Sequence, residues 1–96
     1  MTASDIVREK REEILAIARK HGAFNVRVFG SVARGDADEK SDIDLLVDLD
    51  AERSLFDLGA LVVELNESIG RRVDVVTERG IRNRIRDRIV AEAVAL

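Results

Sequence analysis

Three short apolar runs with a period of two most constrain this chain, the first two joined by a turn-rich connection and the last two by a helix-length amphipathic segment. They are "NVRVF" (residues 25–29), "DIDLLVDL" (42–49) and "RVDVVT" (72–77). In a strand, alternate side chains face opposite sides. Val26 and Val28 therefore share one face and Arg27 and Phe29 the other. Likewise Ile43, Leu45, Val47 and Leu49 oppose Asp44, Leu46 and Asp48. Between and around these runs the apolar period lengthens. Val7, Ile14, Leu15 and Ala18 predict a helix over about 4–21, stopped at Gly22. Ser54, with Asp57 three residues on, opens a second helix as a capping box, and Gly70 ends it. Ile81, Ile85 and Ile89 mark a third, running to the C-terminus. Alternating strands and helices joined by short links predict an α/β fold: a small mixed three-stranded sheet with flanking helices, built as one domain over 1–96.

Composition narrows the chemistry. Apolar residues make up 46% of the 96, but only three are aromatic, all Phe, so the core must be aliphatic. There is no cysteine, which excludes disulfides and thiol chemistry. No apolar run reaches transmembrane length and the first twenty residues are too charged for a signal peptide, so a soluble, cytoplasmic protein with no membrane contact is expected. The net charge of −3 conceals a segregation. Residues 36–57 hold nine acids against two bases, whereas 71–96 hold seven arginines against four acids. Without a basic excess, direct nucleic-acid binding is not expected.

The acids are not scattered. Asp42 and Asp44 fall at the entrance of the second strand, on one face and about 6–7 Å apart. Two carboxylates that close need positive charge between them, and a hard cation such as Mg²⁺ is suited to them. A pair of solvated acids at a strand start is the bland alternative. Upstream, "FGSVARG" ends the first strand in Gly30-Ser31 before a short helical turn. Backbone N–H groups and a hydroxyl there can hold an anion, although a Gly-Ser turn alone is commonly just a strand terminator. Asp74 interrupts the third strand. It faces either water at a sheet edge or, if the strands are neighbours, the same cavity as Asp42 and Asp44. Three carboxylates about two Mg²⁺ ions would suit in-line phosphoryl or nucleotidyl transfer.

Gly30-Ser31, ten intervening residues and Asp42-Ile43-Asp44, followed by the strand acid Asp74, resemble the signature of the DNA polymerase β-like nucleotidyltransferase superfamily. The longer stretch "GSVARGDADEKSDIDLLV" looks like the minimal nucleotidyltransferases (MNT), and "VDVVTERGIRNRIRDRIVAEAV" resembles the end of that group, so the similarity spans nearly the whole chain. The resemblance implies the polymerase β-like fold and roles for six residues. Asp42 and Asp44 would ligate two Mg²⁺ ions. Asp74 would complete the catalytic metal site and help deprotonate the acceptor. Gly30 and Ser31, with Arg34 beside them, would bind the nucleotide triphosphate, with ATP as substrate.

The resemblance also implies a partner: many MNT proteins act as antitoxins of a HEPN-domain ribonuclease toxin, transferring AMP to one of its tyrosines. Two other functions stay open. One is an antitoxin that occludes its toxin without catalysis; the other is a small-molecule, aminoglycoside-type nucleotidyltransferase, disfavoured because no acceptor-binding segment is evident. The arginines of the last helix, Arg82, Arg84, Arg86 and Arg88, suit a contact with the partner or a solvated face paired with Asp87 and Glu92. His21, at a helix end, is given no catalytic role, and Gly59 is expected to mark close helix packing. A chain this small, with an aliphatic core and an exposed apolar helix face, is also expected to be able to form a homodimer.

Overall fold

The computed structural model describes residues 1–96. Its elements, in chain order, are α1 (Ala3–Glu9), α2 (Arg11–Lys20), β1 (Ala23–Phe29), α3 (Ser31–Arg34), β2 (Ile43–Leu49), α4 (Leu55–Ile69), β3 (Val73–Thr77), a 3₁₀ turn (Glu78–Gly80), α5 (Asn83–Glu92) and β4 (Val94–Ala95). The strands form one mixed sheet in the order β3-β2-β1-β4. β1 runs antiparallel to both β2 and β4, whereas β2 and β3, joined through α4, are parallel.

The period-two reading holds. Val26, Val28, Ile43, Leu45, Val47, Val73 and Val75 turn one face of the sheet toward α1, α2 and α4, where they meet Val7, Ile14, Ile17, Ala18, Leu61, Leu65 and Ile69 in a continuous aliphatic core. A single side of the sheet is thus dried by three helices. The alternation leaves Arg27, Phe29, Asp44, Leu46, Asp48 and Asp74 on the opposite face. The acid-bearing face is therefore the one the core helices do not cover.

Local signals place most boundaries. Ser54 and Asp57 form the expected capping box: Ser54 Oγ accepts from the Phe56 N–H at 3.2 Å, and the Ser54 N–H donates to Asp57 Oδ2 at 2.9 Å. Asn66 ties α4 to the following strand, donating through Nδ2 to the Val73 carbonyl (2.9 Å) and accepting from the Val73 N–H (3.1 Å).

Four expectations are corrected. The sheet has four strands rather than three, because the last residues leave α5 and pair with β1 (Val28 with Val94, Arg27 with Ala95). A two-residue strand is too short to show a period in sequence. The N-terminal helix is two helices, broken at Lys10, whose φ of −103° and ψ of 18° depart from helical values. The break lets α1 turn its own Ala3 and Val7 into the core while α2 contributes Ile14, Ile17 and Ala18. Ile81 is buried in the link before α5, whereas Ile85 is 45% exposed, so the isoleucine spacing does not make a buried stripe. Gly59 is exposed, and a Cβ there would meet nothing within 4 Å, so it marks no close packing. No helix is long and apolar enough to cross a membrane.

Candidate active site

β1 ends at Phe29 and the chain turns through Gly30 into the single turn of α3. Gly30 has φ 72° and ψ −148°, a conformation essentially restricted to glycine. It also has no room for a side chain: a Cβ would lie 2.5 Å from Asp44 Oδ2. The Gly-Ser turn and the Asp-x-Asp pair are therefore in contact through Gly30 and Asp44, fourteen positions apart in sequence and adjacent in space. In α3 the first helical bond is made by the Arg34 N–H to the Gly30 carbonyl, at 3.0 Å. The N–H groups of Ser31, Val32 and Ala33 precede it, as in any first helical turn. The N-cap is Gly30, so no side chain caps this turn.

Asp44 sits inside β2 and pairs in register with Asp74 on the parallel neighbour β3, with Phe29 on its other side. Strands lie about 4.8 Å apart, so the Asp44 and Asp74 side chains project from one face at close quarters. Asp42 is two residues before Asp44, on that same face. The electrostatics follow. Burial pushes the Asp44 carboxyl above the usual range, and the neighbouring Asp74 and Asp42 carboxylates push it further, against the opposing pull of Arg34 and Arg72. Of the two placements the sequence leaves open for Asp74, the structure shows the one beside Asp44, in register on the neighbouring strand.

Arg34 reaches the same neighbourhood but is engaged. Its Nη1 donates to Glu92 of α5 at 2.8 Å and its Nε to Asp36 at 3.3 Å, and both carboxylates hold the guanidinium more firmly protonated. Glu92 thus pairs across to α3, not with the arginines of its own helix. Neither it nor Asp87 neutralises Arg82, Arg84, Arg86 or Arg88, and none of these four forms an ion pair within the chain. Arg27, 13% exposed, is held on the acid-bearing face by Asp48 (3.0 Å) and Glu78 (3.7 Å).

One participant was not singled out from sequence, and another was expected to pair only within its own helix. Arg72 lies 3.7 Å from Asp42 and 3.8 Å from Asp74 through its Nε. Its spacing of two from Asp74 is a signal that period-two reasoning could have used. Glu92, 58 positions from Arg34, had no local signal. His21, as expected, is away from this site, bonded to Glu64 at 2.8 Å.

The chemistry of the set would suit a divalent cation: three carboxylates, Asp42 just before β2, Asp44 within it and Asp74 on β3, beside the turn at Gly30. No three of the acids are yet gathered tightly enough to hold an ion as they stand. Arg72 supplies the local positive charge to Asp42 and Asp74.

A mixed sheet with helices on one face and three carboxylates beside a Gly-Ser turn on the other defines a nucleotidyltransferase of the polymerase β-like class. The nucleotidyltransferase domain family matches residues 8–96, and the chain belongs to it. Among its relatives is a Methanocaldococcus jannaschii chain provisionally assigned as a protein adenylyltransferase, 43% identical, with the match covering 92% of this chain and 95% of that one. The protein adenylyltransferase MntA of Thermococcus cleftensis is 35% identical, covering 90% and 92% respectively. A solved structure provisionally described as a minimal nucleotidyltransferase superposes with a TM-score of 0.84 at 46% identity, over 97% of this chain and 95% of that one. A toxin–antitoxin crystal structure with AMP-PNP shares the fold, with a TM-score of 0.75 at 21% identity over 88% of this chain and 69% of its counterpart.

Proposed function

We propose that this chain is a Mg²⁺-dependent protein adenylyltransferase and the antitoxin of a HEPN-type toxin, transferring AMP from ATP to a tyrosine of that partner. The observation that carries the reading is the contact between Gly30 and Asp44, with Asp42 and Asp74 on the same face. It would bring a triphosphate cradle against three carboxylates. Similarity to protein adenylyltransferases over nine-tenths of the chain supports the choice of a protein acceptor.

In this reading the tyrosine hydroxyl oxygen attacks the α-phosphorus of ATP. A P–O bond forms there, the bond from the α-phosphorus to the oxygen bridging to the β-phosphate breaks, and pyrophosphate leaves. Asp42 and Asp44 would hold two Mg²⁺ ions, and Asp74 would complete one of the two sites. The ions, when bound, activate the attacking hydroxyl and neutralise charge on the leaving group. Asp74 would also help to take up the hydroxyl proton. The N–H groups of α3 and the Ser31 hydroxyl orient the triphosphate by donating to its oxygens. Arg34, tied through Nε to Asp36 and through Nη1 to Glu92, would join them through its unbonded Nη2.

A second reading, toxin occlusion without catalysis, is favoured by one observation: the α5 arginines have no acid to pair with inside the chain, which suits docking to an acidic surface. The test uses purified protein, Mg²⁺ and α-labelled ATP, with a HEPN-type toxin protein as acceptor. Label on the acceptor that disappears with Asp42→Asn/Asp44→Asn is the expected result. Stable complex formation by both proteins with no label transfer would sink the catalytic reading and leave occlusion.

A further inference from the structure

Arg71 and Arg72 are neighbours with opposite surroundings. Arg71 is built in: its guanidinium donates to the carbonyls of Ser41 (2.9 Å), Asp38 (3.0 Å) and Met1 (3.1 Å), stitching the loop before β2 to the N-terminus. Arg72 is anchored only by its backbone, whose carbonyl accepts from the Ile43 N–H at 3.0 Å. Its side chain is 71% exposed and makes no hydrogen bond, yet it lies between Asp42 and Asp74, 3.7 and 3.8 Å from their oxygens. Those separations are ion-pair contacts longer than a hydrogen bond, so the guanidinium is held by charge alone and is free to leave.

We propose that Arg72 is a resident counter-ion: its guanidinium stands between Asp42 and Asp74 where a divalent cation would bind, and it must swing aside for that cation to enter. The inference rests on the reading of Asp42, Asp44 and Asp74 as cation ligands. Arg34 cannot serve in this role, because Asp36 and Glu92 already occupy it. A mobile arginine satisfies the carboxylates of the cation-free protein and sets a threshold concentration for cation binding. Because the pair is exposed, solvent screens the competition and the threshold is modest.

Binding of Mn²⁺ alone to the full chain, followed by electron paramagnetic resonance of free Mn²⁺ at low ionic strength, tests this. Arg72→Gln is expected to bind Mn²⁺ about three- to tenfold more tightly than the wild type, a gain that shrinks with added salt. Arg84→Gln removes the same charge from α5, where no ion pair is lost, and is expected to change affinity less than about twofold. Equal or weaker binding by Arg72→Gln, or equal gains in both variants, overturns the inference. Asp44→Asn separates it from the reading beneath it. If Asp44→Asn abolishes binding while Arg72→Gln leaves it unchanged, only the role of Arg72 fails. Binding that Asp44→Asn leaves intact places the cation elsewhere, and no saturable binding by any form discards the cation site; either result overturns both.

Discussion

Replacing Gly30 by Ala probes the contact on which the site depends. Two costs arise. The backbone at φ 72° and ψ −148° lies outside the regions an L-residue adopts, a strain of about 1–3 kcal/mol. The new Cβ would sit 2.5 Å from Asp44 Oδ2 and 3.3 Å from its Cγ, so the carboxylate must rotate away, at about 0.5–1.5 kcal/mol if it leaves a rotamer minimum. Together they predict a destabilisation of about 2–4 kcal/mol, which for a domain of this size lowers Tm by about 10–25 °C. Denaturant titration measures it, and a cycle with Asp44→Ala divides it. In the Asp44→Ala background the clash is gone and only strain remains, so the two substitutions should couple by about 1 kcal/mol. Gly35 is the internal control. It has φ 81° and ψ 14° but nothing within 4 Å of a Cβ, so Gly35→Ala should cost only the left-handed penalty of about 1–2 kcal/mol. Transferase activity should collapse in Gly30→Ala and survive in Gly35→Ala, because only the first displaces Asp44. Equal costs for the two glycines, with no coupling to Asp44, would refute the argument.

Three further outcomes follow from the same geometry. Asp44→Asn should stabilise the cation-free protein while abolishing transfer, by about 0.5–1 kcal/mol at pH 7 once solvent screening of a half-exposed cluster is allowed for. The sign comes from the raised folded-state carboxyl: Asp44 costs nothing below its ordinary value of 3.8 and weakens the fold as pH rises through the raised one. The gain should therefore vanish in thermal melts at pH 3; a variant less stable than wild type at pH 7 would show that Arg34 and Arg72 overcompensate the repulsion. Asn66→Ala removes both bonds to the Val73 backbone and should cost about 1–3 kcal/mol, with hydrogen exchange at the Val73 amide rising first. Gly59→Ala, in open space within α4, should raise stability by about 0.5–1 kcal/mol, read as a higher denaturation midpoint with an unchanged slope.

Much of this protein was legible in its residues because the interactions concerned are short in sequence. Strand alternation is an i, i+2 relation, the Ser54–Asp57 cap an i, i+3 relation, and the stop at Gly70 a single-residue property. These determined the three long strands, the helix between β2 and β3, and the face that Asp42 and Asp44 share. The resemblance carried by Gly30-Ser31, ten intervening residues and Asp42-Ile43-Asp44 added the family.

What tertiary structure alone decided are pairings between distant residues. The fourth strand exists because Val94 and Ala95 find the free edge of β1, and two residues carry no period. Arg34 and Glu92 meet across 58 positions, taking from α5 the acid that its own arginines would have used. Asp74 joins Asp44 only because β3 lies parallel to β2 in that register, and Arg72 reaches Asp42 for the same reason. The division has one physical cause. Backbone periodicity and caps are set by neighbours along the chain, whereas which charge faces which is set by how the sheet is ordered, and that depends on the burial of the whole aliphatic core at once.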